Sequence, residues 1–147
     1  MPEHARNRLP RTAPRDLPPA SVRTAAQSYR VHAEARWIGD DLLVWIWGGD
    51  RPHIGAVAAA QPRPSLEDES RTSATASVLT YVGHKEDVVV KLAAETLAGA
   101  LATHVVVTAG IHWDGLNAPG ISVVLDRCRE IIGLLSERLL QSRGKPT

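Results

Sequence analysis

The stretches GHKED at 83–87 and GIHWDG at 110–115 each set an imidazole near carboxylates, just after a glycine. Neutral imidazole and carboxylate are the donors that zinc, iron(II) and manganese accept. His84, Glu86, Asp87, His112 and Asp114 are therefore the candidate metal ligands. A third stretch, GGDRPHIG at 48–55, adds His53 to the set of polar junctions. Glycines bring a second property, because Gly48, Gly49 and Gly83 permit close backbone approach. A helix beginning after Gly83 would also turn its first amides toward a phosphate. Arg51 and Lys85 are the cations able to neutralise one. Glu86 and Asp87 oppose a bare anion, since carboxylates repel phosphate unless a cation intervenes. A metal bridging the acids and a phosphorylated ligand removes the conflict. The same residues also suit plain helix capping, with Glu86 and Asp87 complementing the positive end of the dipole. The spacing is looser than a helical HExxH.

The elements that must position these groups follow from periodicity. SYRVHAEARWI at 28–38 alternates apolar and polar residues, as a half-exposed strand does. Gly39-Asp40 suits a two-residue hairpin turn. LLVWIWGG then reads as a strand apolar on both faces, hence central. HIGAVAAAQ at 53–61 and ATASVLTYV at 74–82 read as further strands, separated by the polar loop PRPSLEDESRTS. Helical spacing of Val89, Leu92, Ala93, Thr96, Leu97, Ala100 and Leu101 predicts a helix over 86–102. THVVVTAG is a short buried strand. Pro119 opens a closing helix over 119–141, where a missing N–H costs nothing. The order β-β-β-β-α-β-α predicts an α+β fold: a largely antiparallel sheet of four or five strands, an antiparallel meander first, covered by helices on one face. His84 and His112 each follow a strand of that sheet. They are expected within reach of one metal or ligand.

Apolar residues form 44% of the 147-residue chain, enough for one domain with an ordinary core, here placed at 28–141. The arm at 1–27 is rich in proline and arginine, lacks apolar periodicity and reads as disordered; 142–147 reads as a flexible tail. The arm has no apolar core of a secretory signal, and no later run is long enough to span a membrane. The lone Cys128 excludes an internal disulfide and sits at helical spacing with Val124, Ile131 and Leu135, so it reads as a buried thiol. A reducing, cytoplasmic setting is expected. Neither nucleic acid nor membrane is expected as a partner. No Walker loop, GxGxxG, GxSxG or CxxC is present.

GGDRPHIGAVAAA, the run from ATASVLTYVGHKED through the first helix, and VVVTAGIHWDG resemble the LpdD-like prenylated-flavin chaperones, a family named from the small D subunit of gallate decarboxylase systems. The resemblance covers about 29–140. It implies a fold similar to the small subunits of proteasome assembly chaperones, which commonly dimerise. It also implies a helper for UbiD-type decarboxylases, one that holds reduced prenylated FMN, with iron or a similar divalent metal, and assists its oxidation or delivery. Whether that amounts to enzymatic turnover stays open. His53, His84, Glu86, Asp87, His112 and Asp114 match the family's polar motif positions. On this reading Gly49, Arg51, His53, Gly83, Lys85 and Trp113 are expected at the flavin, and His84, Glu86, Asp87, His112 and Asp114 at the metal. Trp113 departs from the pattern, which has a smaller aliphatic residue there; an indole could stack on an isoalloxazine or pack at an interface.

Two other readings compete. One is a metal-dependent hydrolase in which Glu86 or Asp87 serves as general base. The other is a structural subunit whose junction groups are only caps and turns. A homodimer is expected from Trp45 and Trp47, which share one strand face with Leu43 near Trp37.

Overall fold

The computed structural model describes residues 18–143. Its elements are β1 (Ala20–Arg23), β2 (Val31–Ile38), β3 (Asp41–Gly49), β4 (Ala56–Pro64), β5 (Thr72–Thr80), α1 (Asp87–Leu101), β6 (Val105–His112) and α2 (Ala118–Arg143). The fold class is α+β, with one six-stranded sheet in the order β1-β2-β3-β6-β4-β5. All neighbours are antiparallel except β3 and β6. Ile38 pairs with Asp41, so Gly39 and Asp40 are the hairpin turn that the sequence predicts.

Alternation dictates which face is covered. Val31, Ala33, Ala35 and Trp37 of β2, and Leu42, Val44 and Ile46 of β3, turn toward the helices and are buried. Helix α1 packs on β4, β5 and β6, α2 packs on β1 and β2, and the helices touch each other. Small residues make that close approach possible: Ala56, Ala58 and Ala60 lie under Ala93, Ala94, Leu97 and Ala98 in one core. Leu43, Trp45 and Trp47 point the other way and stay half-buried. Among the described residues, no element covers that face.

Four expectations need correction. The meander is interrupted, because β6 inserts between β3 and β4 and pairs parallel with β3. The arm at 1–27 is not irregular throughout. Ala20–Arg23 forms an edge strand on β2, and buried Thr24 continues the pairing, exchanging bonds with Val31 through its backbone and its Oγ1. Val22 packs against the core, which four residues of alternation suffice to achieve; residues 1–17 lie outside the described residues. The polar loop shrinks to 65–71, since Pro62 and Pro64 remain in β4. Beyond Ala60, β4 has lost its β6 neighbour, so those prolines withhold no N–H from the sheet on that side. Finally, α2 continues through Ser142 and Arg143. Arg143 lies 4.8 Å over the Trp37 ring and donates to the carbonyl of Leu101 at the end of α1. Trp37 thus faces α2, opposite to Trp45 and Trp47.

Candidate functional site

The ends of β3 and β6, the start of β4 and the chain leaving β5 share one end of the sheet, and most predicted polar groups collect there. Three of them converge tightly. His53 Nε2 lies 3.0 Å from Glu86 Oε1 and 3.0 Å from His84 Nδ1, while His84 Nδ1 lies 3.8 Å from Glu86 Oε2. Tetrahedral ligands on bonds of ~2.0–2.1 Å would stand roughly 3.3 Å apart, so these spacings suit one cation. His53 Nδ1 is 2.9 Å from the carbonyl of Arg51, which only accepts, so that nitrogen carries the proton. In the neutral ring, Nε2 then offers a lone pair to the carboxylate and to the second imidazole. Three lone-pair donors aimed at one another call for a proton or a metal between them.

The three donors come from two parts of the chain, His53 from one and His84 and Glu86 from the other. His53 leads into β4, where Gly55 N donates to Ala109 of β6. His84 sits in the turn after β5, its amide donating to Tyr81, whose own amide donates to Gly55. Glu86 precedes α1 yet makes no capping bond with its side chain. That carboxylate, 8% exposed, instead accepts from the amides of Lys85 at 3.0 Å and Ile111 at 3.2 Å. Asp87 alone occupies the exposed first turn. Two glycines make the convergence sterically possible. A Cβ on Gly55 would strike the Glu86 carboxylate, and one on Gly110 would strike the carbonyl of His53.

The other predicted ligands form a separate, exposed arrangement. His112 Nε2 meets Asp114 Oδ1 at 3.0 Å, and Arg51 reaches Asp114 Oδ2 at 3.5 Å. The amide of Asp114 donates to Asp50, and the amides of Asp50 and Arg51 donate to the carbonyl of His112. His112 and Asp114 are not members of the three-donor group. Gly83 and Lys85 lie on the exposed turn around His84, with Gly83 at φ +82°. Gly49 and Trp113 line a cleft over β2 and β3, with Tyr29, Arg30, His32 and Trp47. Burial, then the nearby Arg30 and Arg23, holds the His32 imidazole below its ordinary pKa.

Several of these positions escaped sequence reasoning. Gly55 and Gly110 stand inside the quoted stretches, and their nearness to His53 and His112 was the available signal. Tyr29, Arg30, His32 and Trp47 read as ordinary strand residues, and no local pattern marks them as a shared wall.

Residues 25–140 match the prenylated flavin chaperone LpdD-like domain. A curated relative, Protein LpdD of Lactiplantibacillus plantarum, is 28% identical over 129 residues, covering 84% of this chain and 90% of that protein. Among solved structures, a chain from a novel chaperone complex for yeast 20S proteasome assembly is similar, with a TM-score of 0.45 and 9% identity. That alignment covers 79% of this chain and 99% of the other.

Proposed function

Because this chain belongs to the prenylated flavin chaperone LpdD-like family, we propose that it binds reduced prenylated FMN together with a divalent metal and assists the cofactor's oxidation or delivery to a UbiD-type decarboxylase. The observation that carries this reading is the convergence of His53, His84 and Glu86 with their ligand atoms within 4.8 Å of one another. Two imidazoles and a carboxylate suit iron(II), manganese or zinc. A metal bound there would supply a Lewis acid and, if iron or manganese, a one-electron couple.

This chain's own residues hold and orient. The Arg51 carbonyl fixes the His53 ring through Nδ1, and the amides of Lys85 and Ile111 fix the Glu86 carboxylate. Those contacts leave little room for Glu86 to work as a mobile general base, which weakens the hydrolase alternative. His84, on the exposed turn, keeps the group open to solvent and to a ligand. A homodimer belongs to the same reading. It is supported by the uncovered sheet face, where Trp45 and Trp47 are only half-buried and Val106 is 39% exposed. Light scattering that returns only monomer at micromolar concentration would remove that part.

The test is direct. The protein is incubated anaerobically with reduced prenylated FMN and with iron(II), manganese or zinc in turn, then separated from free ligand. Retention of flavin and of one metal per chain is expected, read from the visible spectrum and elemental content. A protein that retains neither overturns the proposal.

A further inference from the structure

The two edges of the sheet are not alike. β1 closes one edge with four residues, follows Pro18 and Pro19, carries Arg23 and lies against α2. Short length, prolines, charges and a covering helix are devices that keep an edge from pairing with another chain. β5 closes the other edge with nine residues. From Thr72 to Val82 the run TSATASVLTYV contains no charge, proline or glycine. Val78, Leu79, Tyr81 and Val82 are all exposed.

Register shows which backbone groups this edge presents. Tyr81 donates its amide to Gly55, so alternation turns the odd-numbered amides of β5 toward β4. Pro62 and Pro64 stand opposite Ala74 and Thr72, where a β4 N–H would not reach β5. Ala74, Ala76, Val78 and Thr80 therefore point N–H and C=O outward, and no strand receives them among the described residues. The helix side of the same edge is apolar as well. A Cβ on Gly99 would lie 3.7 Å from the Thr72 carbonyl, which sets that flank of α1 over β5. Leu92 and Val88, about two and three turns earlier, share the flank and are 40% and 59% exposed.

We infer that β5 pairs antiparallel with β5 of a second copy across a two-fold axis at Ser77, joining two sheets into one. Ser77 is the midpoint of the uncharged run, so this register pairs all of it. Thr72 meets Val82, Thr75 meets Leu79, and Ala76 meets Val78. Each larger side chain finds a smaller one opposite, and no like charges face each other. An edge without charge gives a charged partner nothing to be steered by, whereas a two-fold makes one patch complement itself. The four outward positions of each strand then exchange about eight hydrogen bonds. The Val88 and Leu92 flanks of the two α1 helices approach each other above the axis. Val82 stands beside Thr72 of the other copy, so the loop at 65–71 of each chain borders the His84 turn of its mate. This interface is separate from the Trp45 and Trp47 face, and it does not rest on the proposed function.

The experiment uses the full chain with single introduced cysteines. Ser77 opposes itself as a non-hydrogen-bonded pair, with Cα atoms ~4.5 Å apart, which is within disulfide range. Ser77→Cys should therefore cross-link most chains into covalent dimers under mild oxidation at micromolar concentration. Thr75 opposes Leu79 instead and lies ~13 Å from the other Thr75, so Thr75→Cys should cross-link few chains. Cys128 is buried and takes no part. Val78→Pro removes an N–H that only the second copy would use, so it should halve the mass of the assembly in sedimentation and leave the circular dichroism unchanged. Equal cross-linking of the two cysteine variants, or none in either, overturns the pairing. So does a Val78→Pro chain that keeps the wild-type mass. A wild type that dimerises without cross-linking at Ser77→Cys also overturns it, and leaves the proposed function standing with the contact on the Trp45 face. Should Val78→Pro fail to fold, Ser77→Cys decides alone.

Discussion

His84 and Glu86 meet His53 in a group whose carboxylate is buried and whose donors are anchored from three stretches of chain. His112 meets Asp114 two residues along its own chain, with both side chains about half exposed. The contacts have the same length, 3.0 Å, yet they differ in origin. An exposed pair formed locally is worth ~0–1 kcal/mol and constrains little. A group assembled across 31 residues between His53 and His84, and 25 between Glu86 and Ile111, exists only because the fold holds it. Such preorganisation is what a metal centre needs, since the cost of bringing donors together is met before the ion arrives.

The sharpest way to break this comparison is metal affinity. His53→Ala and His84→Ala should each weaken zinc or iron(II) binding on the order of 100-fold or more, because even supporting contacts of a ligand are worth ~10–100-fold. His112→Ala and Asp114→Asn should stay within about threefold. Calorimetric titration gives the answer, and equal losses at His84 and His112 would mean that both serve one centre. Cys128 supplies the folding control. It is 2% exposed and burial pushes its thiol up to about 12, so iodoacetamide should not label it in any variant whose core is closed.

A smaller effect sharpens the contrast in stability. Glu86→Ala leaves the amides of Lys85 and Ile111 without their acceptor, which should cost about 1–3 kcal/mol in urea unfolding of the metal-free protein. Asp114→Ala should cost less than about 1 kcal/mol, as exposed pairs do. Gly55→Ala should also destabilise by ~1–3 kcal/mol, because its methyl meets the Glu86 carboxylate. Much of that cost should vanish when Glu86→Ala is present as well, and full additivity would show that the two do not press on each other.

The smallest effect concerns a third histidine environment. The folded pKa of His32 lies below its ordinary 6.5, owing first to burial and then to Arg30 and Arg23. The unfolded chain therefore takes up the proton first as pH falls. Its contribution to stability is complete above about 6.5 and is lost as pH drops through the lowered folded value. His32→Gln should flatten the fall in melting temperature between about pH 7 and 5. An unchanged slope would show that His32 is as well solvated as its exposed counterparts.

Part of the site was legible before folding was considered. Glycine, histidine and acid recur at three junctions, and such residues at strand ends have few purposes other than turns, caps and ligands. What the spacing did not reveal was the grouping. GHKED and GIHWDG look equivalent along the chain, yet Glu86 turns back from its helix to accept from Ile111, while Asp87 stays in the first turn. His53, expected at the flavin, lies in the three-donor group. Tyr29, Arg30, His32 and Trp47 carry no local mark of a cleft, because the cleft exists only between the end of β3, the lead-in to β2 and the indole of Trp113.

The amino-acid sequence by itself determined the kind and order of most elements: the hairpin at Gly39-Asp40, both long helices and the alternation that sends Val31, Ala33 and Ala35 inward. These depend on periodicity and turn chemistry, which act over a few residues. Only the tertiary structure decided that β6 would slide between β3 and β4. That placement brings Ile111 to Glu86, Gly110 beneath the carbonyl of His53, and His112 to the margin. Several strands here are apolar enough to occupy the middle of a sheet. Which of them pair is settled by helix packing and by backbone hydrogen bonds between residues far apart in the chain, and no local pattern records that choice.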